Sequence, residues 1–352
     1  MTLIPFNESA LGSWSNRGRR RTDVRIVPLT DASRYIGLLW PRVLPKMFLL
    51  RKRAIASRLR GSKPRRSVRA FIIRPGGSAR GVPMKVLLAQ LSPRVGDKKA
   101  NIAKMEKTIA NTEPDLALFG ELYLTGYMAR DSLRTLAEPI PGPAKKAVLD
   151  IAKEYSTHII FGMPEKDSKA RLLYNVAVLA APDGGLEKYR KIHPATFGPF
   201  EEGIYFGRGR EPKAVETKLG KIGLMICFDT FFPELARLLA LGGADILAVI
   251  SAAPNTSKPM FDKVLPARAV ENTCFVLYCN LVGTELNIVF AGGTQAIGPR
   301  GEYIARAKDY QEDLVVADID PADLMPARQA RPSVRDAQQG LVDAAFRRGR
   351  RK

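Results

Sequence analysis

Cys227, Glu121 and Lys191 are the residues of this chain whose types and settings could do chemistry together. Cys227 ends the short apolar run Ile222–Ile226, the pattern of a buried strand. Beyond it Phe232, Leu235, Leu238 and Leu239 recur at helical spacing, so a helix follows. A thiol at a strand-to-helix junction is pushed out of the sheet edge toward a pocket. The positive end of a helix favours the thiolate, which is the nucleophilic form. By itself the segment fits a buried structural cysteine equally well. Glu121 ends the apolar LALFG, and Lys191 closes YRK just ahead of His193. Charged groups beside apolar runs are costly without a purpose. All three stand at the exits of expected strands, so they can converge on one sheet edge. Such a trio suits acyl transfer. The carboxylate takes the thiol proton and later activates water. The ammonium, with the backbone N–H of Phe228, holds the oxyanion of a tetrahedral intermediate.

The elements that must position these groups read in alternation from Met84. MKVLLAQL is strand-like, and Asp97 is placed to cap a helix through KKANIAKMEKTIAN. DLALFGE (115–121) is a buried strand, PGPAKKAVLDIAKEYS a helix with proline at its start, and HIIFGM (158–163) a strand. A hairpin is expected around Pro182-Asp183-Gly184-Gly185 and another around Gly220 within Val215–Ile226. ADILAVI (244–250), a helix near 259–272, CFVLYCN (274–280), the single run VFAGGTQAIGP (289–299) and DLVVADI (313–319) complete the pattern. Strands alternating with helices, with hairpins added, predict an α/β domain of mixed sheets covered by helices. No GxGxxG or GxxxxGK[ST] phosphate loop follows any of the strands.

Composition narrows the function. The 352 residues, 45% of them hydrophobic, suffice for one large domain or two smaller ones. Cys227, Cys274 and Cys279 form no CxxC pair, which suits a reducing cytoplasm rather than a disulfide scaffold. Two histidines, His158 and His193, exclude a His-rich metal site. No segment reaches the roughly 18 uncharged apolar residues of a membrane span. The net charge of +21 sits at the ends: residues 1–83 hold 19 Lys+Arg against 3 Asp+Glu, and the chain closes on RRGRRK. The part between is neutral. Residues 1–83 therefore read as a separate arginine-rich extension, expected to be disordered or poorly packed. Three readings compete for it: a stretch outside the working protein, with Met84 as the true start; a targeting presequence; or a basic arm for an anionic surface.

The motifs around the trio resemble the nitrilase superfamily of carbon–nitrogen hydrolases. GEL-x-LTGY around Glu121, YRKIHP around Lys191 and GLMICFDTFFPELAR around Cys227 are similar to that superfamily's three signatures, in order. FEEGIYFGRG resembles its E-x-x-YF segment, which implies a second active-site glutamate at Glu202, orienting lysine and substrate; the adjacent Glu201 is the alternative. RAVENTCFVLYCN and the run ending IGPRG match as well. The resemblance covers about 84–325, leaving 326–352 as a tail with a basic end. It implies a four-layer αββα sandwich in a single catalytic domain, a Glu-Lys-Cys triad, a homodimer or higher homo-oligomer, and no metal or organic cofactor. Tyr127 and Phe290 are candidates to line the pocket, with core packing the alternative. His193 is expected to fix a loop rather than serve as base, Arg237 to brace the helix after the cysteine, and Cys274 and Cys279 to pack in the core.

The activity implied is hydrolysis of a small non-peptide amide by water through a cysteine acyl-enzyme. QLSPRVGDKKANIAKM and ELYLTGYMARD resemble the glutaminase domains of glutamine-dependent NAD synthetases and stand-alone amidases. No SGG-x-DS pyrophosphatase loop follows, so a free-standing amidase is preferred. An N-carbamoyl amidohydrolase and a true nitrilase are the rivals within the family. From a different class, the basic ends allow a catalytically dead nucleic-acid-binding or scaffold protein, against which the intact Glu121, Lys191 and Cys227 argue.

Overall fold

The structure is a computed structural model that describes residues 83–338. The arginine-rich extension, up to residue 82, and the basic end of the chain lie outside the described residues.

Strand β1 (Met84–Gln90) leads through helix α1 (Lys98–Thr112) to β2 (Leu116–Phe119). A 3-10 turn (Tyr127–Ser132), the short helix α2 (Leu133–Leu136) and helix α3 (Pro143–Glu154) precede a meander of β3 (His158–Asp167), β4 (Leu172–Ala180) and β5 (Leu186–Arg190). The second half runs through α4 (Glu202–Tyr205), the hairpin β6 (Lys213–Thr217) and β7 (Gly220–Ile226), α5 (Pro233–Leu241), β8 (Ile246–Ser251), α6 (Lys258–Asn272) and β9 (Phe275–Asn280). Strands β10 (Val282–Glu285), β11 (Ile288–Ala291), β12 (Gln295–Ile297), β13 (Tyr303–Arg306) and β14 (Asp313–Ile319) and helix α7 (Leu324–Ala330) close it.

Two six-stranded sheets result, ordered β14-β1-β2-β3-β4-β5 and β13-β12-β9-β8-β7-β6. Each has a parallel centre, β1 to β3 and β7 to β9, flanked by antiparallel strands. Side chains alternate across a strand, and the cores follow that alternation. Val86 and Leu88 of β1 join Leu224 and Ile226 of β7 and Leu247 of β8 in one apolar cluster. Leu87 and Ala89 face the other way, onto Met105 and Ile109 of α1 and Val148 and Ile151 of α3. Leu235 and Leu239 of α5 and Leu265 of α6 pack on the second sheet. Helices thus cover the outer faces of two stacked sheets, the four layers αββα.

Local chemistry sets the boundaries. Asp97 accepts the Ala100 N–H at 2.9 Å and starts α1, and Pro143 opens α3. The run 289–299, expected as one strand, is two. Gly292 and Gly293 take φ of 75° and 74°, a region open to glycine, and the bend sends β11 to pair with β10 while β12 joins the second sheet. Helix α7 crosses residue 325, where the sequence suggests a boundary. Its Leu324 and Ala327 are buried, and Arg328 lies 3.0 Å from Asp245. Among the described residues no helix is long and apolar enough to cross a membrane.

Candidate active site

The cysteine turn is strained and tightly held. Cys227 follows β7 with a φ of 45° and opens a 3-10 turn, Cys227–Phe231. A positive φ is uncommon outside glycine, costs on the order of 1–3 kcal/mol, and gathers at functional sites. The buried Asp229 carboxylate braces the turn. Its Oδ2 accepts the Ile226 N–H at 3.1 Å and the Tyr189 hydroxyl at 2.7 Å. Its Oδ1 accepts the His193 N–H at 3.0 Å and lies 2.8 Å from the His193 ring nitrogen Nδ1.

This geometry corrects the expectation of a helix-stabilised thiolate. The 3-10 turn separates Cys227 from α5, which begins only at Pro233, and the helix field fades within its first turn. Burial pushes the Cys227 thiol well up, and the neighbouring Glu121 charge adds to that; Lys191 and a hydrogen bond from Ser251 oppose it without prevailing. Burial thus works against the thiolate, and a group held up in this way calls for a base.

A carboxylate stands ready. Glu121, just past β2, is fully buried, and Lys191, just past β5, is 1% exposed. Lys191 Nζ lies 2.6 Å from Glu121 Oε1 and 2.7 Å from Glu202 Oε1. Glu121 Oε1 also accepts Asn175 Nδ2 at 2.7 Å, and its Oε2 accepts the Ala252 N–H at 2.9 Å. Glu202 Oε1 takes a further hydrogen bond from the Tyr127 hydroxyl at 2.7 Å, while its Oε2 is buried without a partner. Burial works against the Lys191 ammonium, but Glu121 and Glu202 outweigh it and hold the pKa above the ordinary lysine range. Burial raises Glu121; Lys191 pulls it back and the Glu202 charge adds to the rise, leaving the carboxyl above its usual range. All four groups are buried, Cys227 at 7% exposure.

The remaining sequence candidates divide. Phe228 is the second residue of the cysteine turn, where a turn's first N–H groups have no partner within it. Tyr127 lines a narrow cleft with Glu202, Leu122, Met128, Tyr205 and Phe206. Phe290 does not line that cleft; it is 1% exposed and packs edge-on against the Tyr127 ring at 6.0 Å between centroids. Of the neighbouring glutamates, Glu202 reaches Lys191, while Glu201 is exposed. His193 is stacked on Phe232 at 3.5 Å and bonded to Asp229. Arg237 donates to the Glu271 carbonyl at 2.6 Å, tying α5 to α6. Cys274, Cys279 and His158 are buried.

Sequence reasoning passed over Asn175 and Ser251. Asn175 is the lone polar residue within the apolar part of β4, a signal that could have marked it. Ser251 ends an apolar strand in the same manner, beside the thiol and the Tyr278 hydroxyl at 3.2 Å.

The carbon–nitrogen hydrolase family model matches residues 85–329. The chain belongs to the carbon–nitrogen hydrolase family. This hydrolase is 34% identical over 252 residues to a probable nitrilase of Schizosaccharomyces pombe, across 69% of this chain and 91% of that one. Its fold is similar to that of Saccharomyces cerevisiae Nit3, a member of branch 10 of the nitrilase superfamily, with a TM-score of 0.68, 27% identity, and coverage of 75% of this chain and 98% of that one. It is also similar to a glutamate-to-glutamine variant of the amidase from Nesterenkonia sp. AN1, with a TM-score of 0.64 and 25% identity over 75% of this chain and 97% of the other. That variant shows covalent addition of the acetamide moiety of fluoroacetamide at the active site cysteine. As a member of the family, the protein is an enzyme that hydrolyses carbon–nitrogen bonds other than peptide bonds.

Proposed function

We propose that this hydrolase cleaves a small non-peptide amide through a Cys227 acyl-enzyme. The observation that carries the reading is the Lys191 ammonium bridging Glu121 and Glu202 at 2.6 and 2.7 Å beside a thiol too basic to ionise unaided. Glu121 takes the thiol proton as Sγ attacks the amide carbon, and the carbonyl π pair moves onto oxygen. Lys191 and the Phe228 N–H receive that oxyanion. Its collapse breaks the carbon–nitrogen bond, and Glu121 passes the proton to the departing ammonia or amine. Water then loses a proton to Glu121, adds to the thioester carbon, and expels the sulfur, which is reprotonated as the carboxylic acid leaves. Glu202, joined to both Lys191 and Tyr127, orients the ammonium and offers its free Oε2 to the amide nitrogen.

The covalent adduct on the cysteine of the Nesterenkonia amidase supports a nucleophilic cysteine. The nitrilase name of the fission-yeast relative favours a second reading, attack of the same thiol on a nitrile carbon. A panel of ω-amides, aliphatic amides, N-carbamoyl amino acids and nitriles, assayed for released ammonia, separates them. Wild-type turnover of an amide with none in Cys227→Ala supports the proposal. Full activity in Cys227→Ala overturns it.

The catalytic domain is taken to span 84–325 with α7 added. The family resemblance supports a homodimer, which light scattering would test. Three free thiols suit a reducing cytoplasm.

A further inference from the structure

We propose that Glu285, at the end of β10, is a positioning residue that holds the Tyr127 hydroxyl against Glu202 and so fixes the Lys191 ammonium. The inference rests on the catalytic reading above. Glu285 lies outside the three signature motifs, between the matched runs RAVENTCFVLYCN and VFAGGTQAIGP; it is 4% exposed and sits against the loop that carries Tyr127. Its Oε2 accepts the Met128 N–H at 2.8 Å, directly beside Tyr127. A carboxylate that accepts a backbone N–H makes a charge-assisted bond and fixes the peptide plane between Tyr127 and Met128.

The approach is close. Gly126 has a φ of 74°, and a Cβ there would stand 3.3 Å from Glu285 Oε2 and 2.9 Å from Val95 Cγ2. Only glycine lets loop and carboxylate meet in this way. The same hairpin grips the side chain. Phe290 of β11, opposite Gly283 of β10, packs edge-on against the Tyr127 ring. Backbone and ring of Tyr127 are thus both set by β10 and β11, and its hydroxyl is delivered 2.7 Å from Glu202 Oε1, the oxygen that also receives Lys191.

A merely structural role would leave a different trace. The other oxygen, Glu285 Oε1, is buried with no partner, a cost that stability alone does not explain. If Glu285 acts through Tyr127, its loss should lower kcat with little change in KM, and should matter only while the Tyr127 hydroxyl is present.

The test is a double-mutant cycle on full-length enzyme, with an amide the wild type turns over and Cys227→Ala as control. Glu285→Ala is expected to lower kcat at least tenfold. Glu285→Gln keeps an acceptor oxygen and should restore most of that loss. In a Tyr127→Phe background, Glu285→Ala should cost less than a further twofold. Should Glu285→Ala fail to fold, Glu285→Asp, which withdraws the acceptor by one methylene, should lower the same parameter and vanish in the same background. Losses that multiply in the double variant, or an unchanged kcat in Glu285→Asp, overturn the inference while leaving the triad standing. Activity in Cys227→Ala overturns the catalytic reading and the inference with it.

Discussion

Asp229 Oδ1 lies 2.8 Å from the His193 ring nitrogen and 3.0 Å from the His193 backbone nitrogen. This pairing ties the cysteine turn to the segment after Lys191, so one buried carboxylate sets the relative placement of thiol and ammonium. The His193 ring is also stacked on Phe232 at 3.5 Å, the setting of a brace. His193→Ala should therefore keep most of the activity and lose about 1 kcal/mol of stability, the net value of an ordinary hydrogen bond. Amide turnover and urea unfolding measure the two. Loss of all turnover in a folded His193→Ala protein would favour a Cys–His arrangement instead.

Asp229→Ala should be far worse. It strands the Ile226 and His193 N–H groups and the Tyr189 hydroxyl, each at roughly 1–3 kcal/mol if buried and unpaired. An unfolding free energy lowered by at least about 3 kcal/mol in urea titration, with kcat reduced in whatever fraction folds, is the expected result.

Lys191→Met removes the one cation between two buried carboxylates. Breaking a buried ion pair from one side costs about 3–5 kcal/mol, because the remaining charge is uncompensated. We expect a drop of that order in unfolding free energy near neutral pH. We also expect part of it to return on acidification, as protonation of Glu121 relieves the repulsion. Equilibrium denaturation at two pH values reads this directly.

The pH profile follows from Glu121. Burial, with the Glu202 charge adding, places its pKa above the ordinary carboxylate value of 4.5 despite Lys191. The catalytic base is the ionised form, so kcat/KM should rise with pH through a midpoint above 4.5. For stability the sign is opposite. A carboxyl whose folded pKa exceeds its unfolded one contributes stability below the unfolded pKa and loses it as pH rises through the folded value. Glu202→Gln removes a neighbouring charge that raises Glu121, so the acid limb of its kcat/KM profile should move to lower pH. A limb that stays or moves up would show that another group titrates there.

Much of the fold was legible because it rests on local rules. Leu87 and Leu88 point to opposite faces by simple alternation, Asp97 caps α1 by its own side chain, and Pro143 starts α3. The run 289–299 misled because two glycines bend the chain between sheets, and periodicity cannot tell a continuous strand from a broken one.

By itself, the sequence determined the alternation of strand and helix, the strand-end positions of Glu121, Lys191 and Cys227, and their likeness to three hydrolase signatures. Only the tertiary structure decided their chemistry. Contacts between separate segments, from 11 to 75 residues apart, put Lys191 between two carboxylates, aimed Tyr127 at Glu202, and bound His193 to Asp229. The strand-to-helix pattern predicts a thiol acidified by a helix, yet burial raises it. Desolvation depends on what the rest of the chain packs around a group, and no local pattern of residues encodes that.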